Sequence, residues 1–266
     1  MKIAALQMVS TPDVDRNLAA AARLAAEASA AGARLVALPE YFCLMGRNDR
    51  DKLGVAETLD DGPIQAALST IARDHQVWVI GGTLPLRTAD PERVRNSTLV
   101  YAPDGSRITR YDKMHLFNFD NGRERYDEGR VLEAGTEPVA FDADGWRIGL
   151  SVCYDLRFPE LYRALMRPAC DLIVVPAAFT YPTGEAHWEL LLRARAVENQ
   201  CYVMAPAQGG VHENGRRTWG HTLIADPWGQ LLGCRDEGEG VVMGELSRAR
   251  LDEVRTRLPA LSHRRL

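Results

Sequence analysis

Apolar residues fall in this chain in short blocks whose length and period name the elements. KIAALQM (2–8) is an apolar run of strand length, and LAAAARLAAEASAAGA after it has helical character, entered through Thr11 to Asp13 with Pro12 and ended by Gly32. RLVALP returns to strand length, so the opening reads strand, helix, strand. Its crossover makes the two strands parallel neighbours and leaves Glu40 just past the second. A helix at Pro63 to His75 and a strand at VWVIGGTLPL follow. STLVYAPDGSRITRYDK is a hairpin turning at Asp104-Gly105 and ending on Lys113. NFDNGRERYDEGR (118–130) has no period and reads as a charged loop.

The second half repeats the grammar. Strand RIGLSVC, helix FPELYRALM, strand DLIVVPAAF, helix AHWELLLRARAVENQ and strand CYVMAPAQ come in turn. HTLIADP, QLLGC and VVMGEL read as one further antiparallel set with a turn at Asp226 to Gly229. SRARLDEVRTRL is a last helix capped by Ser247, and PALSHRRL a polar tail. The pattern calls for mixed sheets with helices on their outer faces.

Composition narrows what such a fold serves. The 266 residues carry a net charge of −4, with 26% charged and 46% apolar; this is globular, with no basic surplus for a nucleic-acid backbone. One α/β domain over 1–266 and a small-molecule partner are expected, with no nucleic acid and no membrane. Five widely spaced cysteines without C-x-x-C spacing argue against a disulfide framework or zinc site and suit a reducing compartment. MKIAALQM is too short for a secretory signal and no apolar stretch reaches membrane length, so a cytoplasmic location is expected.

Three of the apolar runs each end on a chemically useful side chain: LVALPE on Glu40, ITRYDK on Lys113, IGLSVC on Cys153. Functional groups of open α/β sheets collect at the carboxyl ends of strands. A carboxylate, an ammonium and a thiol suit attack on an amide: base, oxyanion donor and nucleophile. Cys153 is followed by YDLRFPE, with Pro159 in the first turn of a helix, so its thiol is expected to face helix amides that lower its pKa. Cys43, Cys170, Cys201 and Cys234 lack that setting and read as packing residues. Gly81-Gly82 lacks the further glycine of a dinucleotide loop, and His115 and His187 have no second ligand at metal spacing, so no cofactor and no metal are expected. Trp188, Leu191, Leu192 and Val197 are spaced to bury a helix face in the core or a dimer contact.

With those residues in place, the chain resembles the nitrilase superfamily of carbon-nitrogen hydrolases. IAALQM, LPE, YDKMHLF, GLSVCYDLRFPELYR and DPWG carry the resemblance over almost the whole length. It implies a four-layer αββα sandwich that often pairs into dimers or higher homo-oligomers. It also implies a Glu-Lys-Cys triad at Glu40, Lys113 and Cys153, with the backbone amide of Tyr154 as second oxyanion donor. A second glutamate that orients the lysine falls on Glu128, Asp127 and Glu133 being the neighbouring alternatives. Arg157 either binds a substrate carboxylate or pairs with Asp155 or Glu160, and His187 is the other substrate-binding candidate. TGEAHWELLLRARAVENQCYVMAPAQ, WGHTLIADPWG and RLPALSHRRL are most similar to the Nit branch. The resemblance thus implies a cofactor-free thiol amidase that cleaves a small ω-amide to acid and ammonia through a thioester, with deaminated glutathione the first candidate. Omega-amidase action on α-ketoglutaramate, N-carbamoyl amino acid hydrolysis and a non-enzymatic binding scaffold are the alternatives.

Overall fold

The computed structural model of the chain describes residues 1–265 apart from 121, 123 and 124. Along it run β1 (Lys2–Gln7), α1 (Val14–Ala30), β2 (Leu35–Ala37), α2 (Asp51–Gly54), α3 (Pro63–His75), β3 (Trp78–Ile80), β4 (Leu84–Arg87), β5 (Val94–Tyr101) and β6 (Arg107–Asp112). Next come β7 (Asn118–Asp120), β8 (Arg125–Asp127), β9 (Val139–Ala143), β10 (Trp146–Leu150), α4 (Pro159–Ala164), β11 (Leu172–Val174), α5 (Tyr181–Asn199) and β12 (Tyr202–Ala205). The remainder is β13 (Gly209–Val211), β14 (Arg217–Trp219), β15 (Thr222–Ala225), β16 (Leu231–Arg235), β17 (Gly240–Glu245) and α6 (Arg248–Arg257).

The expected caps form. Asp13 accepts the N–H of Arg16 at 3.1 Å to open α1, and Gly32 at φ 91 lies just past its end. Ser247 accepts the N–H of Arg250 at 3.3 Å to open α6.

One sheet has the order β17-β1-β2-β3-β5-β4 with β6 on β5, the other β16-β15-β12-β11-β10-β9. β1, β2 and β3 run parallel, as do β10, β11 and β12. Alternation along the strands decides the layers. Ile3, Ala5, Leu35, Ala37 and Ile80 join the cluster that holds the second sheet. Ala4, Leu6, Val36 and Val79 point the other way, onto Leu24 of α1 and Leu68 of α3. Leu161 of α4 and Trp188 and Leu192 of α5 cover the second sheet. Helices, sheet, sheet, helices is the four-layer α/β sandwich. Full burial of each Leu, Ile or Val contributes roughly 1.5–3 kcal/mol, so this layering is what fixes the strand ends in space. No helix of the described residues is long and apolar enough to cross a membrane.

The structure corrects several expected elements. VWVIGGTLPL is two strands, because Gly81 and Gly82 turn the chain between β3 and β4. VVMGEL does not stay with HTLIADP and QLLGC: β17 leaves that sheet and pairs antiparallel with β1. Helix α5 starts at Tyr181, five residues before Ala186, with a proline in its first turn where the missing N–H costs nothing. Within 118–130, β7 pairs β8 and a 3-10 turn spans Glu128–Arg130; residues 121, 123 and 124 of that expected loop lie outside the described residues. The tail adds a 3-10 turn at Ala260–His263.

Candidate active site

Glu40 lies three residues beyond β2, on a loop pressed against the β3–β4 turn. Gly82 there has φ +52, and a Cβ on it would lie 2.1 Å from the carbonyl oxygen of Pro39, so only glycine lets the two segments cross. The Glu40 carboxylate is 1% exposed. Its Oε1 accepts from Asn96 Nδ2 and from Lys113 Nζ, both at 2.9 Å, and its Oε2 accepts the Ala178 N–H at 3.0 Å. Asn96 arrives through hairpin register: on β5 it faces Lys113, whose N–H donates to the Asn96 carbonyl at 3.0 Å.

Lys113 has a side chain with no exposure and gives a second hydrogen bond, 2.7 Å, to Glu128 Oε2. That oxygen also accepts the Phe117 N–H at 2.7 Å, while Glu128 Oε1 accepts the Tyr41 hydroxyl at 2.7 Å. Burial alone disfavours the ammonium, but Glu128 and Glu40 outweigh it and push the Lys113 pKa well above its ordinary range. Burial likewise works to raise Glu128, and Lys113 with the Phe117 and Tyr41 hydrogen bonds overcomes it and holds the carboxyl below its usual value. An ammonium therefore sits locked between two carboxylates.

Cys153 opens the turn after β10. Its φ is 50, a left-handed conformation that costs a non-glycine residue of order 1 kcal/mol or more, and its N–H donates to the Pro176 carbonyl at 2.9 Å. Asp155, fully buried, fastens the turn: Oδ2 accepts from the Val152 N–H at 2.8 Å and the Tyr111 hydroxyl at 2.6 Å. Asp155 Oδ1 accepts the His115 N–H at 3.0 Å and lies 2.7 Å from His115 Nδ1, whose ring stacks on Phe158. The thiol does not have the lowered pKa expected from the turn amides. Burial, then Glu40, push it well up, and Lys113 offsets only part of that. A short 3-10 turn supplies too little dipole to balance desolvation beside two carboxylates.

Glu40, Glu128 and Cys153 line one cavity together with Phe117, Tyr154 and Phe179. Arg157 lines it, 5.5 Å above the Phe179 ring and 5.9 Å from that of Tyr154. Among the described residues it pairs with neither Asp155 nor Glu160. His187 is not part of the lining; its Nδ1 stands 3.3 Å from Arg157 Nη1, behind the guanidinium. Tyr154 lies in the first turn after the thiol, where backbone N–H groups lack intrahelical acceptors. Cys43, Cys170 and Cys201 are buried elsewhere and Cys234 is exposed. No group of three or more His, Cys, Asp or Glu among the described residues could hold a metal ion.

Sequence reasoning missed Asn96, Asp155, Tyr41 and Arg216. The signal for Asn96 was partial: the Asp104-Gly105 turn marks the hairpin, but a bulge between Val100 and Tyr101 shifts the register by one residue, and that shift places Asn96 beside Lys113. Arg216 had none: it reaches the cavity from the β13–β14 turn, a hairpin too short and glycine-rich to show a period.

Residues 2–256 match the family model described as Carbon-nitrogen hydrolase. The chain is 42% identical over 265 residues to a deaminated glutathione amidase of Synechocystis, covering 98% of this chain and 97% of that one. It is 34% identical to the mouse protein named Omega-amidase NIT2, over 99% of this chain and 95% of that one. Its fold superposes on the crystal structure of Saccharomyces cerevisiae Nit3, a member of branch 10 of the nitrilase superfamily, with a TM-score of 0.90 at 28% identity, covering 100% and 97% of the two chains. The chain belongs to the carbon-nitrogen hydrolases of the nitrilase superfamily, enzymes that act on carbon-nitrogen bonds other than peptide bonds.

Proposed function

We propose that the chain is a thiol amidase whose substrate is deaminated glutathione, with Glu40, Lys113, Cys153 and Glu128 as its catalytic group. The observation that carries this reading is the buried carboxylate–ammonium–carboxylate array beside a thiol on a left-handed turn. Lys113 has three donors and spends two on Glu40 and Glu128, which leaves one for a developing oxyanion. The Tyr154 amide supplies the second.

The steps follow from proton bookkeeping. Glu40 takes the proton from Cys153 as the thiolate adds to the amide carbon, and the carbonyl oxygen becomes an oxyanion held by Lys113 and Tyr154. Glu40 returns that proton to the leaving nitrogen and the carbon-nitrogen bond breaks, giving a thioester and a free amine. Glu40 then takes a proton from water, whose oxygen adds to the thioester; collapse releases the acid and restores the thiol. Glu128 keeps Lys113 charged and aimed. A thiol held protonated beside its base suits this sequence, because it ionises only as the carbonyl arrives.

Arg157, open to the cavity and free of acid partners among the described residues, is the cation for a substrate carboxylate, with His187 as its support. In deaminated glutathione the keto acid sits on the acyl half, and the amine released is cysteinylglycine; ammonia is the product only from a primary amide. Chromatographic detection of α-ketoglutarate and cysteinylglycine tests the reading. Folded wild-type protein that releases neither would overturn it.

We further propose self-association through α5, which exposes Leu190 (69%) beside Val197 (47%), with Trp228 (56%) on the adjoining turn. Sedimentation of Leu190→Glu is expected to show smaller species than wild type; a wild type that is already monomeric would contradict it.

A further inference from the structure

The β13–β14 hairpin is fastened to the body of the protein at its tip. Asn214 Nδ2 donates to the Gly46 carbonyl at 2.6 Å, and buried His212 bridges the Ser10 carbonyl at 2.9 Å and the Thr218 hydroxyl at 2.8 Å. What this anchored tip delivers to the cavity is Arg216. Its guanidinium is under-used. The group lies 5.3 Å over the Tyr126 ring; Nη2 donates to the Ala178 carbonyl at 2.9 Å, Nη1 donates to the Met45 sulfur at 3.9 Å, and buried Nε has no hydrogen-bond partner among the described residues. Among the described residues no carboxylate pairs with it. A guanidinium carries five donors, and leaving them short of acceptors in a partly buried wall is costly unless a ligand completes them.

Position says which part of a ligand that would be. Arg216 and Glu40 meet the backbone of one residue: the Ala178 carbonyl accepts from Arg216, and the Ala178 N–H donates to Glu40 Oε2. In the mechanism above Glu40 returns a proton to the leaving nitrogen, and it is this role, with the shared Ala178 backbone, that assigns Arg216 to the leaving-amine side. Arg157, four residues after Cys153 on the same turn, stays with the acyl half. We infer that Arg216 recognises a carboxylate carried by the leaving amine, and is thereby the residue that makes the site prefer deaminated glutathione, charged on both halves, over a primary ω-amide charged on one. The inference rests on the amidase reading above.

The test measures kcat/KM of wild type, Arg216→Gln and Arg216→Lys on deaminated glutathione and on α-ketoglutaramate, which share an acyl half. Loss of one charged hydrogen-bonding group should lower the ratio of the two specificity constants by roughly tenfold to a hundredfold in Arg216→Gln, with Arg216→Lys in between. General damage to the site would lower both constants and leave the ratio alone; an unchanged ratio overturns the inference. A binding arm keeps it separate from the amidase reading. Calorimetric titration of Cys153→Ala with deaminated glutathione, and with the same peptide amidated at glycine, should show a preference for the free carboxylate that Arg216→Gln removes. Equal binding of the two peptides overturns the role of Arg216. Failure of wild type to turn over either substrate overturns the amidase reading, and the titration still decides the arginine.

Discussion

Cys153 illustrates how strongly neighbours govern a single side chain. Desolvation and then Glu40 keep its proton on, and Lys113 only moderates them. In the free protein the rate of alkylation by iodoacetamide should therefore climb roughly tenfold per pH unit between about pH 6 and 9, following the small thiolate fraction. A plateau near neutrality would show a thiolate already present and contradict the base-assisted step. Lys113 answers to a second measurement: Lys113→Met should lower kcat by roughly 10² to 10³ or more with the fold intact, the loss expected for an oxyanion donor. A raised KM at unchanged kcat would make it a substrate-binding charge instead. Both side chains, with Glu40, were legible as the ends of apolar runs, since strand ends need no tertiary knowledge to locate. Glu128 came only through family resemblance, and Asp155 was considered only as a partner for Arg157. Its task of holding His115, Tyr111 and Val152 is visible only once distant residues meet.

At the scale of elements, the fold was most readable where one device fixes a boundary. Asp13, Ser247 and the Asp104-Gly105 turn each set an end by a local hydrogen bond or a positive φ, and those ends fell where expected. Unread pieces were strands of three residues such as β13 and β14, whose pairing comes from the body they dock on. His212 makes that docking pH-sensitive. Burial, with Arg216 adding, lowers its pKa from an ordinary 6.5 to about 4, against the pull of its bond to Ser10. Between those values the unfolded chain binds a proton that the native hairpin refuses, so unfolded species gain as pH falls. The stability contribution is whole above pH 6.5 and is lost on descent through pH 4, by a few kcal/mol at most. Urea midpoints should accordingly drop over that window in wild type and drop less in His212→Asn. Parallel pH curves for the two proteins would show that His212 does not titrate this way.

Taken whole, the molecule places its candidate site where two sheets, the start of α5 and a hairpin converge. Glu40 follows β2, Asn96 lies in β5 and Lys113 follows β6 of one sheet; Cys153 follows β10 and Ala178 lies beyond β11 of the other. The site therefore depends on the sandwich being closed, and β17, crossing from the second sheet's strands to pair with β1, helps to close it. That crossing could not be read from VVMGEL, because an apolar run states that a strand exists and not which sheet receives it. The proposed outcome of the whole assembly is an acyl thioester on Cys153 that forgets its leaving amine. The most direct measurement is partitioning in hydroxylamine, which captures a thioester as the hydroxamate while water gives the acid. Deaminated glutathione and α-ketoglutaramate should yield the same hydroxamate-to-acid ratio at each hydroxylamine concentration, because both pass through one α-ketoglutaryl enzyme, and Cys153→Ala should yield neither product. Absence of hydroxamate during turnover, or a ratio that changes with the leaving amine, would contradict a common thioester.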